Sequence, residues 1–561
     1  MDEGFRSEMA AGYGLKEPAI VLGSPMLGAE LVQDVRVQAP LAMMNRHGLI
    51  AGATGTGKTK TLQLLAGELS DAGVPVFIAD IKGDLTGLGA AGDATNAKVQ
   101  ERCASIGWTF AAKAHPIELF SLSGKLGAQI RATVHSFGPL LLGKVLDLNP
   151  TQTSILSIVF KYCDDNKLPL LDLEDLATTL KFLGSDDGKA VLDEYGGMSK
   201  ASLGVLLRSI VTFQQEGSDI FFGEPEFDVA DLMRLAPDGT GVISLLELSD
   251  VMTKPRLFST FMLWLLAQLY SRLPEAGDLP KPKLAFFFDE AHLLFDDASS
   301  ALLDQVEQTV RLIRSKGVGV FFVTQNPTDV PASVLAQLGN RVEHALRAFT
   351  PEDADAIRKT ARTFPITTHY NVEETLTSLG IGEAFVTVLS PRGIPTPLAA
   401  TRLLPPDSMM SPLDPVTLEA RRVGGMLAAK YGTPIDRQRA HEIITARIEQ
   451  ARAVAVAAAP AGAGSLDGMT PAQQRREIER QVREEARQRE ADRKAAERDR
   501  REAERDAKAA ERERIAAARA AQRERDQMIR TATRVATSKA GQDVLRSVFG
   551  TLFGGSSGRR R

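Results

Sequence analysis

A short apolar run, Gly48-Leu49-Ile50-Ala51, leads directly into Gly52-Ala53-Thr54-Gly55-Thr56-Gly57-Lys58-Thr59 and then into a helix-like stretch, Thr61 to Leu69. No other feature of the 561 residues constrains the fold as much, because a GxxxxGK[ST] run works as a strand, a phosphate-binding loop and a helix in succession. The glycines let backbone N–H groups close around phosphate oxygens, and the helix N-terminus adds a favourable dipole. Lys58 is placed to reach the β and γ phosphates, and the Thr59 hydroxyl to bind Mg²⁺. The expected nucleotide-contacting set is Gly52, Ala53, Thr54, Gly55, Thr56, Gly57, Lys58, Thr59 and Lys60.

A second element completes this chemistry. Leu284-Ala285-Phe286-Phe287-Phe288 ends in Asp289-Glu290, and successive residues at a strand end point to opposite sides, so the two carboxylates can divide the work. Asp289 is expected to hold Mg²⁺ and Glu290 to polarise the water that attacks the γ-phosphate. Val318 to Thr324, the next strand, ends at Gln325, where an amide can sense the γ-phosphate or orient water. Asp80, with Lys82 and Asp84 nearby, ends a further apolar run, and either ordinary loop solvation or a place on the active edge suits it. Positive charge delivered to the transferring phosphoryl group accelerates such reactions strongly; the candidates are Arg46, Arg311 and Arg314. His292 is expected to pack beside the acidic pair rather than to bind metal.

The remaining pattern reads as α/β with a mainly parallel sheet. Strand-like runs at Gly48–Ala51, Val74–Asp80, Gly241–Leu246, Leu284–Asp289, Val318–Thr324, Val342–Phe349 and Ala384–Leu389 alternate with helical patterns, and several are apolar throughout. That is the signature of strands covered by helices on both faces. The expected organisation is a short β-rich segment over 1–44, a nucleotide-binding core over 45–120 and 236–405, and a helical insertion over 121–235. A helical extension and linker follow over 406–469, then a long charged helix or coiled coil over 470–530 and an amphipathic basic tail over 531–561. Residues 471–530 carry 34 charged residues and only five large apolar ones, too few for a heptad seam. In the tail, Val544, Leu545, Val548, Phe549, Leu552 and Phe553 form one apolar face ahead of three arginines, suited to docking on a neighbouring subunit or an anionic surface.

Charge matters for the partner. Residues 471–561 hold 25 Lys/Arg against 16 Asp/Glu, leaving 42 against 55 in the body. Nonspecific nucleic-acid affinity comes mainly from neutralising phosphates, so any DNA contact of this acidic body must be local. The apolar stretch Phe258–Tyr270 is too short to cross a bilayer and reads as a buried helix. The N-terminus lacks an apolar signal core, so the chain is expected in the cytoplasm. Cys103 and Cys163 lack metal-ligand spacing and read as buried thiols.

NRHGLIAGATGTGKTKT (Asn45 to Thr61), FFFDEAH (Phe286 to His292) and RSKGVGVFFVTQNPTDVPASVLAQLGNRV (Arg314 to Val342) resemble the helicase HerA-like ATPases of the HerA/FtsK class, in particular their bacterial YjgR-like branch. The likeness covers roughly residues 15–405. It implies a RecA-like P-loop fold, ATP hydrolysis with Mg²⁺, and a homo-oligomer, a hexameric ring around duplex DNA with ATP between subunits. It further implies a nuclease partner and arginines that reach the nucleotide, at Arg46 upstream of the phosphate loop and Arg314 after the acidic pair. The residues before Asn45 are too few for the full β-barrel domain of the archaeal members. Asp289 to His292 also spell DEAH, but that helicase class needs a second sheet domain, and the residues after about 410 read as helical. The rival from another class is an ATP-driven switch or scaffold acting on protein or membrane partners through its C-terminal tail.

Overall fold

The apolar runs assemble into one sheet whose order brings the three motif-bearing strands together. The computed structural model describes residues 2–185, 188, 195–295 and 300–458, and the chain divides into two compact units, Met1–Arg452 and Ala453–Arg561. The charged helix and basic tail expected over 470–561 lie outside the described residues.

The strands are β1 (Ala19–Leu27), β2 (Glu30–Leu31), β3 (Val37–Pro40), β4 (Gly48–Ala51), β5 (Val76–Asp80), β6 (Ile117–Ser121), β7 (Ala128–Gln129), β8 (Ile243–Glu247), β9 (Leu284–Phe288), β10 (Val318–Thr324), β11 (Asn340–His344), β12 (Glu383–Thr387) and β13 (Ala399–Leu403). Their order is β2-β1-β13-β12-β11-β4-β10-β9-β5-β8-β6-β7, with β3 beside β1. From β11 to β7 every pairing is parallel. From β11 back to β2 the strands pair antiparallel, as does β3 with β1.

The all-apolar strands have the expected cause. In β9, Leu284, Phe286 and Phe288 join the hydrophobic core on one face, while Ala285 and Phe287 join the core on the other. In β10, Val318, Val320 and Phe322 alternate in the same way with Phe321 and Val323. Cross-strand rings lock the register on both faces: Phe288 stacks on Phe322 at 5.3 Å and Phe287 on Phe321 at 4.7 Å.

One face is covered by the helix Pro255–Arg272, which contains the buried Trp264, and by helices between β7 and β8. Three of those helices start at capping boxes, Thr133 with Ser136, Asn149 with Gln152 and Asp172 with Asp175, which satisfy otherwise orphaned N–H groups. The helices α1 (Glu3–Tyr13) and α2 (Lys58–Asp71) cover the other face, through Phe5, Met9 and Tyr13 and through Leu62, Leu65 and Leu69. Cys103 and Cys163 are buried free thiols. Among the described residues no helix is long and apolar enough to cross a membrane.

One local expectation is corrected. The run Val342–Phe349 is a strand only from Asn340 to His344, because the next carbonyl, Ala345 O, turns to accept the Ala53 N–H at 2.9 Å. Ahead of the β-rich stretch, Asp2 caps α1 by accepting from the N–H groups of Gly4 and Phe5.

Candidate active site

The phosphate loop joins β4 to α2 and is shaped by backbone conformations that favour glycine. Gly52, Gly55 and Gly57 have φ of 146°, 79° and 115°. Space imposes a second constraint: a Cβ on Gly52 would lie 2.4 Å from the His344 Cβ, and one on Gly57 would lie 3.2 Å from the Gly382 nitrogen. The loop is anchored from its β11–β12 side, where Ala345 O accepts the Ala53 N–H and the Gly382 N–H donates to Thr56 O at 2.9 Å. Beneath it, His344 Nε2 lies 2.8 Å from the Thr61 hydroxyl. Burial, then the charge of Lys58, push this imidazole down to about 4 and keep it neutral.

Lys58 opens α2, and its ammonium donates to Gly52 O at 2.6 Å and Ala53 O at 3.3 Å. Thr59 follows on the same first turn. Lys60 turns away to Gln63 Oε1 and the Met410 carbonyl. Gln325 stands just beyond β10, its Oε1 accepting from the Thr54 hydroxyl at 3.3 Å. Ala53, Thr54, His292, Gln325 and Phe349 all line a cleft of about 730 Å³.

The chain reaches the acidic pair between β5 and β10: Asp289 N donates to Ala79 O at 3.3 Å and Ala291 N to Val323 O at 2.8 Å. Between them Glu290 takes φ 47°, a left-handed conformation uncommon for a side chain of this size. This turn separates the carboxylates. Glu290 forms an ion pair with Lys82 through Oε1, and its Oε2 lies 3.3 Å from His292 Nδ1. Burial alone would raise the Glu290 carboxyl, but Lys82, with His292 and Lys58, holds it below the usual range. Asp289 faces other acids. Its carboxylate oxygen lies with those of Asp80 and Asp84 within 4.8 Å of one another, and burial, then Glu290 and Asp80, push it up to about 7.

Asp80 is buried and organises the loop that presents Lys82, accepting the N–H groups of Lys82, Gly83 and Leu85 at 3.2, 2.8 and 2.9 Å. The sequence placed Asp80, Lys82 and Asp84 near the active edge but carried no signal that Lys82 pairs with Glu290. It also missed Glu343, which lies in register with Ala51 of β4. This carboxyl is buried with an unpartnered Oε1 and is pushed up to about 8 by burial, against the opposing charges of Arg341 and Lys58.

A phosphate chain with a divalent cation fits these residues on three observations. The glycine-rich loop exposes backbone N–H groups at a helix N-terminus, Lys58 stands over the loop, and Asp289 Oδ2 and Glu290 Oε2 are buried oxygens without a hydrogen-bond partner.

Arg46 and Arg314 are not at this edge. Arg46 ends the turn before β4, and Arg314 begins the turn before β10. Both therefore sit at the N-terminal ends of strands whose C-terminal ends carry the phosphate loop and Gln325. The seven residues of β10 span roughly 20 Å, further than an arginine side chain reaches. The two are neighbours: burial and then the charge of Arg46 lower the Arg314 guanidinium.

A family model described as "Helicase HerA-like C-terminal" matches residues 27–560. The chain belongs to this family. As a HerA-like P-loop ATPase it is 23% identical over 375 residues to the DNA double-strand break repair helicase HerA of Sulfolobus acidocaldarius, a match covering 65% of this chain and 66% of that protein. The chain thus spans just under two thirds of that relative's length. Among solved structures it is similar to plasmid coupling protein TrwB in complex with a non-hydrolysable GTP analogue, with 15% identity, a TM-score of 0.45, and 72% of this chain and 98% of that one covered. It is also similar to VirB4 of Thermoanaerobacter pseudethanolicus, with 14% identity, a TM-score of 0.40, and 70% and 98% covered.

Proposed function

We propose that this HerA-like ATPase hydrolyses ATP to ADP and phosphate between the subunits of a homo-oligomeric ring, a hexamer, and uses the cycle to move duplex DNA. The observation that carries this reading is the placement of charge across the sheet: Lys58, Gln325 and Glu290 converge at one edge, while Arg46 and Arg314 pair at the other. Such a subunit offers half of a site to each of two neighbours. Kinship with a DNA repair helicase supports DNA as the cargo.

In the proposed reaction, the loop amides and Lys58 hold the β and γ phosphates, and Gln325 orients the attacking water. Glu290 takes the proton as the water oxygen bonds to phosphorus and the bond to ADP breaks. Thr59 and Asp289 are the residues that would hold Mg²⁺, which would neutralise charge on the phosphates. Arg314 of a neighbouring subunit, with Arg46 beside it, stabilises the charge of the transferring phosphoryl group.

The test is steady-state ATP turnover of the full chain with and without duplex DNA, alongside its mass in solution with ATP and Mg²⁺. The expected result is a hexamer whose turnover rises with DNA and is abolished by Lys58→Ala. Turnover indifferent to DNA would retain the ATPase and transfer the cargo assignment to protein or membrane partners.

A further inference from the structure

Three neighbouring strands end in carboxylates at the hydrolytic edge of the sheet. β5 lies between β9 and β8; Asp80 closes β5, Glu247 stands opposite it in register on β8, and Asp289 comes just after β9. Asp84 joins them from the loop that follows β5. One carboxylate oxygen from each of Asp80, Asp84 and Asp289 lies within 4.8 Å of the others. A single hard cation accommodates that spacing, since two oxygens on opposite sides of an ion, each about 2.1–2.4 Å from it, lie roughly 4.2–4.8 Å apart.

Clustered acids are commonplace on a solvated surface, but three of these are buried. Asp80 is fully buried, Asp289 and Glu247 are each 5% exposed, and Asp289 Oδ2, Glu247 Oε1 and Asp84 Oδ1 are buried oxygens without a hydrogen-bond partner. Glu247 reaches the loop between Asp80 and Leu85: a Cβ on Gly83 would lie 3.2 Å from its Oε2. Asp80 is fixed by the three backbone N–H groups it accepts, so it does not swing away from its neighbours. Two lysines act on Asp84 through their charge, and both are engaged elsewhere. Lys82 pairs with Glu290, and Lys60 donates to Gln63 Oε1 and the Met410 carbonyl. Buried carboxylates that lack donors and counter-charges are strongly unfavourable, and a divalent cation supplies both.

The cation that accompanies a nucleotide's phosphates has a different place. It takes phosphate oxygens, the Thr59 hydroxyl and one or two carboxylates, whereas Asp80 and Glu247 end the third and fourth strands from β4 and its phosphate loop. We propose that Asp80, Asp84 and Asp289, with Glu247 alongside, form a second divalent-cation site of oxygen ligands that takes Mg²⁺, Mn²⁺ or Ca²⁺ without nucleotide. The ion ties the loop after β5 to the end of β9, and so steadies the loop that presents Lys82 to Glu290. This goes beyond the hydrolytic reading and does not depend on it.

The experiment titrates Mn²⁺ into the chelator-stripped full chain and reads free Mn²⁺ by electron paramagnetic resonance. One equivalent per subunit is expected without nucleotide, and a second when ATP is added. Asp84→Asn should weaken the nucleotide-free equivalent at least about tenfold and Glu247→Gln about threefold, while Thr59→Ala leaves it unchanged. Removing one of several like charges relieves repulsion, so in EDTA Asp84→Asn should melt no lower than wild type. Added Mn²⁺ should then raise the melting temperature of the wild type alone. A wild-type chain that takes up no Mn²⁺ without nucleotide would overturn the proposal, as would a folded Asp84→Asn chain that keeps full affinity. ATP that binds without adding a second equivalent would assign these acids to the nucleotide's own cation and overturn it too. One nucleotide-free equivalent in a chain that fails to bind ATP would support this site and sink the phosphate-loop reading instead.

Discussion

Glu290 is the residue where sequence, strain and charge meet. Its φ of 47° is a conformation that the surrounding strands must enforce, and it directs one carboxylate to Lys82 while its neighbour Asp289 joins Asp80 and Asp84. The ion pair keeps Glu290 ionised beside an acidic cluster, which is what a proton acceptor requires. Glu290→Gln keeps the shape and removes the basicity. Single-turnover hydrolysis is expected to slow by roughly 10²–10⁴-fold with ATP still bound, read by rapid quench and filter binding. Wild-type turnover in the purified variant would remove Glu290 from the base role. The pattern GxxxxGK[ST] and an apolar strand ending in Asp-Glu made Lys58 and Glu290 legible, because spacing within a few residues encodes their geometry. Lys82 was opaque in its role: it meets Glu290 across 208 positions of chain, and no local period records such a contact. Glu343 was hidden for another reason, since a carboxylate inside a β-strand reads as an exposed face until the strand is known to lie at the sheet centre, beneath the phosphate loop.

Elements were readable where both faces are buried. β9 is apolar throughout, and β10 up to its final Thr324, because helices cover both sides. The antiparallel flank was less legible. β1 and β13 gain each other as partners from opposite ends of the first unit, as in the pairing of Gly23 with Leu403, and only the fold brings those ends together. The contact that fastens this flank to the nucleotide helix predicts a pH effect. His115, just ahead of β6, is buried between Asp71 at the end of α2 and Asp407 after β13, at 3.4 and 2.9 Å. Burial opposes its charge, but the two carboxylates outweigh that and raise it to about 9. The stabilisation is therefore complete below the unfolded value near 6.5 and is lost as pH rises through about 9. It amounts to on the order of 2 kcal/mol once screening of the partly exposed aspartates is allowed for. Thermal unfolding from pH 6.5 to 9.5 should show a falling melting temperature in the wild type and a flatter profile in His115→Gln. Parallel profiles would mean that another group sets the slope.

At the scale of the whole molecule, the decisive fact is that a single subunit cannot bring its own Arg46 and Arg314 to its own phosphate loop. Arg314 and Gln325 bracket the length of β10, and a strand that is hydrogen-bonded on both sides to β4 and β9 does not shorten. If Arg314 assists hydrolysis, it does so across an interface, and that interface is heterologous, joining unlike edges of two copies as a ring requires. This distinguishes the trans role from a cis role in one mixing experiment. Arg314→Ala subunits keep Glu290, and Glu290→Gln subunits keep Arg314. In a cis arrangement every site in a mixed ring lacks one of the two groups, so turnover stays at the level of the separate variants. In a trans arrangement an equal mixture places an intact Glu290 against an intact Arg314 at about a quarter of the interfaces, and turnover should recover towards that fraction of wild type. Subunit exchange must be shown independently, by mass measurement of differently tagged copies. Proven mixed rings without recovery would return Arg314 to the surface and leave the acceleration of phosphoryl transfer to Lys58 and the loop amides.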